Sequence, residues 1–332
     1  MMFLPWGPEA LALAVVLALA MDALWGEPPA FLHPVVAMGR VLQALGQRVA
    51  PADPEAVQRR DYKSFWLAAL AWCALAAIVS GVYGLLQALL ASRPWWLQAL
   101  VMAVLLKPLF AWRMLKHEVL AVEAALQQGL SQGRERLRWL VSRDTAALDA
   151  AEVRESAIET LAENLNDSVV APLFWFAVAG LPGAALYRLA NTADAMWGYP
   201  GWRGQGAQRR YWQWAGKWTA RADDVLSWIP ARITALLLLV VAPGAKWQGL
   251  RRDAHSTPSP NGGWPMGAMA RILGVRLGKP GVYVLNPGGC VPQSLQLQQA
   301  VGHASRVVRL LGCVALALVL VSGLVIPLAA RF

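Results

Sequence analysis

Glu155, Glu159, Glu163 and Asp167 recur every four residues in "AAEVRESAIETLAENLNDSVVAP". On an α-helix each step of four drifts by only about 40°, so these carboxylates form one stripe, joined on that face by Glu152 and Asn166. Ile158, Leu161 and Leu165 point the opposite way. Like charges four apart repel by about 0.2 to 0.5 kcal/mol per pair, and only Arg154 lies close enough in sequence to offset them. The stripe therefore predicts a cationic partner from elsewhere in the chain. A solvated helix surface is the competing reading. Against it, the stripe runs into Val169, Val170, Ala171 and Pro172 and then an apolar segment. Carboxylates at the edge of a membrane are costly, which makes them functional candidates. A hard, oxygen-rich set of this kind suits Mg²⁺, which commonly combines one or two carboxylates with substrate phosphates.

Three later stretches carry further candidates. In "YRLANTADAMWGYPGWRGQGAQRRYW", Asn191 and Asp194 share a helix face, and a glycine-rich loop with Arg203, Arg209 and Arg210 follows. Arginine forks match phosphate or carboxylate oxygens. The loop lacks the Gly-Lys-Ser/Thr ending of a Walker A motif, and a plain surface turn is the alternative. In "KWTARADDVLSWIPARIT", Asp223 and Asp224 lie between Arg221 and Arg232 at the edge of an aliphatic run. Arg221 and Asp224, three apart, can pair on a helix, while Asp223 has no local partner. In "STPSPNGGWPMGAMARILG", Ser259, Asn261, Gly262 and Gly263 before Pro265 read as a capped helix start whose free amides are a ready anion site. Near the N-terminus, "DALWGEPPAFLHPVVAMGR" adds Asp22, Glu27 and His33, the His being more readily structural than catalytic.

The elements that must position these residues are membrane helices. The chain has 332 residues, of which 57% are hydrophobic and only 15% charged, below the charged share of an ordinary soluble domain. Residues 66–91, 95–111 and 307–330 are apolar runs long enough to cross about 30 Å of hydrocarbon. Residues 10–24, flanked by Trp6 and Trp25, form a shorter fourth span. No Lys or Arg precedes Arg40, so a retained span is expected here rather than a signal peptide. Positive residues place the N- and C-termini outside, and residues 40–63, with Arg40, Arg48, Arg59, Arg60 and Lys63, inside. Segments 168–187 and 233–243 must both cross or both return. Crossing would put Arg188, Arg203, Arg209, Arg210 and Lys217 outside, so re-entrant or interfacial packing is expected for both.

The net charge of +10 is spread over loops between spans. It fits positive-inside bias and attraction to anionic lipid, and no nucleic-acid partner is expected. Cys73, Cys290 and Cys313 have neither disulfide nor zinc spacing. Strand-like alternation is confined to residues 282–285. The expected fold is all-α and polytopic, a single membrane-embedded domain over residues 1–332 with four spans, two re-entrant or interfacial helices and cytoplasmic helical and loop regions.

Taken in order, "DALWGEPPAFLHPVVAMGR", "ESAIETLAENLNDSVVAPLFW", "YRLANTADAMWGY", "ARADDVLSWIPARITA" and "SPNGGWPMGAMARILGVRLG" resemble the CobD/CbiB family of cobalamin biosynthesis over nearly the whole chain. Ala222 and Ser227 stand where Leu and Asn are usual in that family, and Met266 replaces a common acidic residue. The resemblance implies an adenosylcobinamide-phosphate synthase. Such an enzyme joins the carboxylate of adenosylcobyric acid to (R)-1-aminopropan-2-ol or its O-phosphate, with ATP and Mg²⁺. On that reading Glu163, Asp167, Asp223 and Asp224 are the catalytic candidates. Glu159, Glu163, Asp167 and Asp194 are the metal candidates, and Arg203, Arg221, Arg232, Asn191 and Asn261 are the substrate-binding candidates. The expected setting is the inner (plasma) membrane, with the active site facing the cytoplasm and other membrane-bound late-stage cobalamin enzymes as partners. The competing class is a non-catalytic membrane protein, a corrinoid carrier or an AmpE-like signalling protein. A carrier of the repeat type would show internal repeats, and none is visible.

Overall fold

The computed structural model describes residues 7–53, 60–242 and 248–329; the expected anchor Trp6, the loop residue Arg59 and the last residue of the run 307–330 lie outside them. Helices α1 (Pro8–Trp25), α2 (Pro34–Val49), α3 (Tyr62–Ala88), α4 (Trp95–Leu106) and α5 (Trp112–Gln128) come first, with a 3₁₀ turn at Lys107–Leu109. They are followed by α6 (Leu130–Leu137), α7 (Ala150–Leu165), α8 (Ala171–Ala193), α9 (Lys217–Val241), α10 (Leu250–Ala254), α11 (Gly263–Leu273) and α12 (Ser294–Ala329). Two short antiparallel pairs interrupt the helices: β1 (Trp202–Arg203) with β2 (Arg210–Tyr211), and β3 (Leu277–Lys279) with β4 (Tyr283–Leu285). β4 falls on the strand-like piece at 282–285. The partner β3 and the β1–β2 pair were not evident from alternation, because a strand of two or three residues is too short to show a period.

Among the described residues, six helical runs are long and apolar enough to cross a membrane by length and composition: Pro8–Trp25, Tyr62–Ala88, Trp95–Gln128, Ala150–Gly198, Lys217–Val241 and Ser294–Ser322. The protein is an all-α, polytopic membrane protein. Its lipid-facing surface is apolar, as on α3, where Trp66, Leu70, Ile78, Val82 and Leu85 are exposed while Ala68, Trp72 and Ala76 are buried. Small residues let helices approach closely where side chains cannot gain from leaving water. Ala10, Ala14 and Ala18 of α1 are fully buried, as are Ala99 and Ala103 of α4, and these two helices pack together.

The run from Ala150 to Gly198 is not one straight rod. Ala179 and Gly180 leave helical geometry, Gly180 with φ 66°, and Pro182 sits in the first turn of the arm that follows. Gln87 of α3 caps that new start by accepting a hydrogen bond from the Leu181 amide at 2.7 Å. The chain then folds back on itself. Tyr187 Oη donates to Asp167 Oδ1 at 3.3 Å, although twenty residues of continuous helix would separate the two by about 30 Å. At the open end, Ser142 Oγ donates to Tyr199 Oη at 3.3 Å, so the chain leaves the hairpin where it came in. Segment 168–187 is therefore part of a returning helical hairpin. Of segment 233–243, residues 233–241 belong to α9, whose length and apolarity suffice for a span, and residue 243 lies outside the described residues.

Candidate active site: an acid-lined cavity between hairpin and loops

A capping box starts α7: the Asp149 carboxylate accepts from the Glu152 amide, and Glu152 reaches back to the Asp149 amide. The middle of the stripe it launches is buried, with Glu155 and Glu159 only 4% and 2% exposed, whereas Glu163 is exposed and Asp167 half-buried where the cavity opens. Ile158, Leu161 and Leu165 on the other face are fully buried as well. The cations predicted for the stripe come from the loop before α7 and from the segment after α11. Arg143 Nη2 donates to Glu159 Oε2 at 2.7 Å, and Arg276 Nη2 to Glu155 Oε1 at 3.3 Å.

Beyond Leu165 the helix widens into a π-helical turn at Asn166–Val170, and the return arm ends in a second at Asp194–Gly198. Such turns are rare and concentrate at functional sites, because the extra residue per turn redirects side chains out of the regular stripe. Each of these carries a candidate, Asp167 in the first and Asp194 in the second. The hairpin brings both to one cavity of about 590 Å³, and α9 adds Asp223 and Asp224. Glu159, Glu163, Asn191 and Asn261 also line it.

Asp167 is held by Asn166 Nδ2, which donates to its Oδ1 at 2.7 Å, while Asn166 Oδ1 accepts from Thr234 Oγ1 at 3.0 Å. Tyr187 bridges from Asp167 to Ser227 Oγ, 3.0 Å away. Asn191 faces both Asp167 and Asp223. One oxygen of Asp223 is buried with no hydrogen-bond partner. Asn261 Nδ2 donates to the Asp224 carbonyl at 2.7 Å, which anchors the 257–262 loop to α9. The charges acting on Asp194 and Asp223 are other carboxylates, Asp167 and Asp224 among them. An unpaired set of this kind is held in place by the fold against its own repulsion.

Helix α11 starts at Gly263, with Pro265 in its first turn rather than at the first position, and Gly262 precedes it without a side-chain cap. The anion at this helix end is the protein's own. A Cβ on Gly262 would meet Glu163 Oε1 at 3.1 Å, so Glu163 lies against the positive end of the helix dipole.

The substrate-binding candidates divide. Asn191 and Asn261 line the cavity; Arg203, Arg221 and Arg232 do not. Arg203 stacks on Tyr199, 3.9 Å from the ring centre. Arg221 is exposed and forms no ion pair with Asp224 among the described residues. Arg232 lies between the Trp228 and Trp264 rings and donates to Asn261 Oδ1 at 3.0 Å, so it holds Asn261 rather than facing the cavity. The cations that do line the cavity are Arg143 and Lys279, with Tyr283 beside them. Burial, and then Glu159 beside it, push the Tyr283 hydroxyl above its ordinary value, so it stays a neutral donor. Local sequence gave no signal for Arg143 or Lys279; Tyr187 opens the "YRLANTADAMWGY" motif and was within reach.

No three acidic, His or Cys side chains among the described residues converge as a ready metal-ligand set. The donor chemistry still fits Mg²⁺ held jointly with substrate phosphate, since Asp167 and Asp194 line one cavity and the charges acting on Asp194 are other carboxylates. The N-terminal acids lie elsewhere. Lys107 Nζ binds Asp22 Oδ1 at 3.0 Å and Glu27 Oε1 at 2.9 Å, and His33 Nε2 is 3.1 Å from Glu27 Oε2.

Fold and site together define a polytopic all-α membrane protein that encloses a carboxylate-rich cavity at the open end of a helical hairpin. The family model described as CobD/Cbib protein matches residues 15–326, and the chain belongs to that family. It is 40% identical over 304 residues to the cobalamin biosynthesis protein CobD of Chromobacterium violaceum, covering 90% of this chain and 92% of the relative. Over 277 residues it is 38% identical to the probable cobalamin biosynthesis protein CobD of Methanothermobacter thermautotrophicus, covering 82% and 85%. A similarly named protein of Thermococcus kodakarensis is 42% identical over 270 residues, covering 81% and 83%. No solved structure matches the chain.

Proposed function

We propose that this protein acts in cobalamin biosynthesis as an adenosylcobinamide-phosphate synthase. In this reading it ligates the free carboxylate of adenosylcobyric acid to aminopropanol or its O-phosphate, at the expense of ATP. The observation that carries the proposal is the meeting of Asp167, Asp194, Asp223 and Asp224 in one cavity that also presents Arg143 and Lys279. An amide ligation needs both signs of charge: acceptors for an ammonium and its proton, and cations for phosphoryl oxygens. A cavity of about 590 Å³ is the size of a small-ligand site. It suits the amine, the terminal phosphate and one side arm of the corrinoid, whose macrocycle would remain outside.

In the reaction the corrinoid carboxylate attacks the terminal phosphorus of ATP and ADP leaves. The amine nitrogen then attacks the acyl carbon, inorganic phosphate leaves, and the amine's surplus proton passes to a carboxylate. Asp223 suits that last role, because its buried oxygen has no hydrogen to accept from the protein. Asp167, oriented by Asn166 and Tyr187, and Asp194 would hold Mg²⁺, which neutralises charge on the transferred phosphoryl group. Asn261, fixed by Arg232, keeps the 257–262 loop against Asp224 and closes the cavity wall.

The purified full chain in detergent, supplied with adenosylcobyric acid, ATP, Mg²⁺ and aminopropanol phosphate, is expected to yield the amide with matching phosphate release. Corrinoid binding without amide formation would instead favour a carrier.

A further inference from the structure

The charge in the cavity is not evenly spread. Asp194 and Asp223 feel other carboxylates, whereas Glu159 feels two cations, Arg143 and Lys279. Across Glu155, Glu159 and Glu163 the three carboxylates are matched by three cations, Arg143, Arg276 and Lys279, so this end of the cavity carries no excess negative charge. Glu159 engages one guanidinium nitrogen of Arg143 at 2.7 Å and leaves Nη1 without a hydrogen-bond partner. Lys279 is exposed at the cavity wall, with no hydrogen bond or contact ion pair among the described residues. It stands on β3, paired with Tyr283 of β4, just before the turn at Gly281 with φ 71°. Two loops more than a hundred residues apart thus place two cations at one spot in an otherwise acidic cavity.

We propose that Arg143 and Lys279 form a phosphate-binding subsite, with Glu159 as the strut that holds Arg143 in place. A phosphate monoester carries nearly two negative charges and three acceptor oxygens. The carboxylates elsewhere in the cavity would repel it; here it meets a planar fork and a mobile ammonium. Both the terminal phosphate of a nucleotide and the phosphate of an alkylamine phosphate have this chemistry. The subsite rests on the ligation reading only for the identity of these two sources.

Lys279→Gln removes the charge without breaking any observed contact, and Lys279→Arg restores it. In the ligation assay, Lys279→Gln is expected to lower the preference for aminopropanol phosphate over free aminopropanol by about tenfold or more through KM, with Lys279→Arg recovering most of it. If the KM for ATP rises instead, the phosphate bound here is the nucleotide's, and the subsite stands with that source. Unchanged KM values for both would overturn it. Calorimetric titration of the full chain with aminopropanol phosphate and with ATP separates this from failure of the ligation reading. A wild type that forms no amide but binds either ligand more tightly than Lys279→Gln does would sink the ligase and keep the subsite. Equal affinities, or no binding by either protein, would sink the subsite.

Discussion

The carboxylate of Asp194 lies directly over Gly198, with Oδ1 where a Cβ on that residue would stand. The second π-helical turn thus depends on a missing side chain to aim its acid into the cavity. Gly198→Ala is expected to displace Asp194 and lower ligation by about 100-fold, the scale of a misplacement near 1 Å. The melting temperature should change little. Full activity in this variant would mean that Asp194 has no part in the reaction.

Asp223 offers a test in which activity and stability move in opposite directions. Replacing it by Asn keeps its size and removes one of several mutually repelling charges. Activity is expected to fall by about 10² to 10⁴, while the melting temperature holds or rises. Retained activity would reject the proton-accepting role.

Lys107 is 8% exposed and binds Asp22, itself 1% exposed, so Lys107→Met strands a buried carboxylate. The expected loss is about 3 to 5 kcal/mol, read as a large drop in melting temperature in detergent. Adding Asp22→Asn and Glu27→Gln should recover part of it. A single variant as stable as the wild type would show the cluster to be solvated.

Glu27, in the loop after α1, titrates below the ordinary glutamate value. Burial opposes its ionisation, but the hydrogen bond with His33 and the Lys107 ammonium outweigh that. The resulting stabilisation is complete above the unfolded glutamate value, about pH 4.3, and is lost as pH falls through the lower folded value. Melting temperatures between pH 6 and pH 3, at roughly one-unit steps, should fall less steeply for Glu27→Gln than for the wild type.

Because the hairpin returns to the side it left, single cysteines at Asp144 and Gln205 are expected to react with the same impermeant reagent from the cytoplasmic face. A cysteine at Arg93 should react from the other face. Labelling of Asp144 and Gln205 from opposite faces would contradict the hairpin.

Much of this protein follows from near-neighbour chemistry. The apolar runs at 66–91, 95–111 and 307–330 had to become membrane helices, since only a helix satisfies its own backbone in hydrocarbon. The stripe from Glu155 to Asp167, at a spacing of four, had to share a helix face and seek cations. The return of 168–187 was legible from the arginines that crossing would have exported.

Other features depend on residues far apart in the chain. That Arg143 reaches Glu159 over 16 residues, that Arg276 reaches Glu155 over 121, that Lys279 stands at the cavity wall and that Trp264 joins Trp228 around Arg232 are decided by packing, because a contact beyond neighbouring helical turns leaves no mark in either local sequence. The hinge at Ala179–Gly180 is the clearest case. A glycine and a nearby proline in an apolar run permit either a kink or a reversal. Only the cap from Gln87 and the meeting of Tyr187 with Asp167 select the reversal, and with it the place where the carboxylates meet.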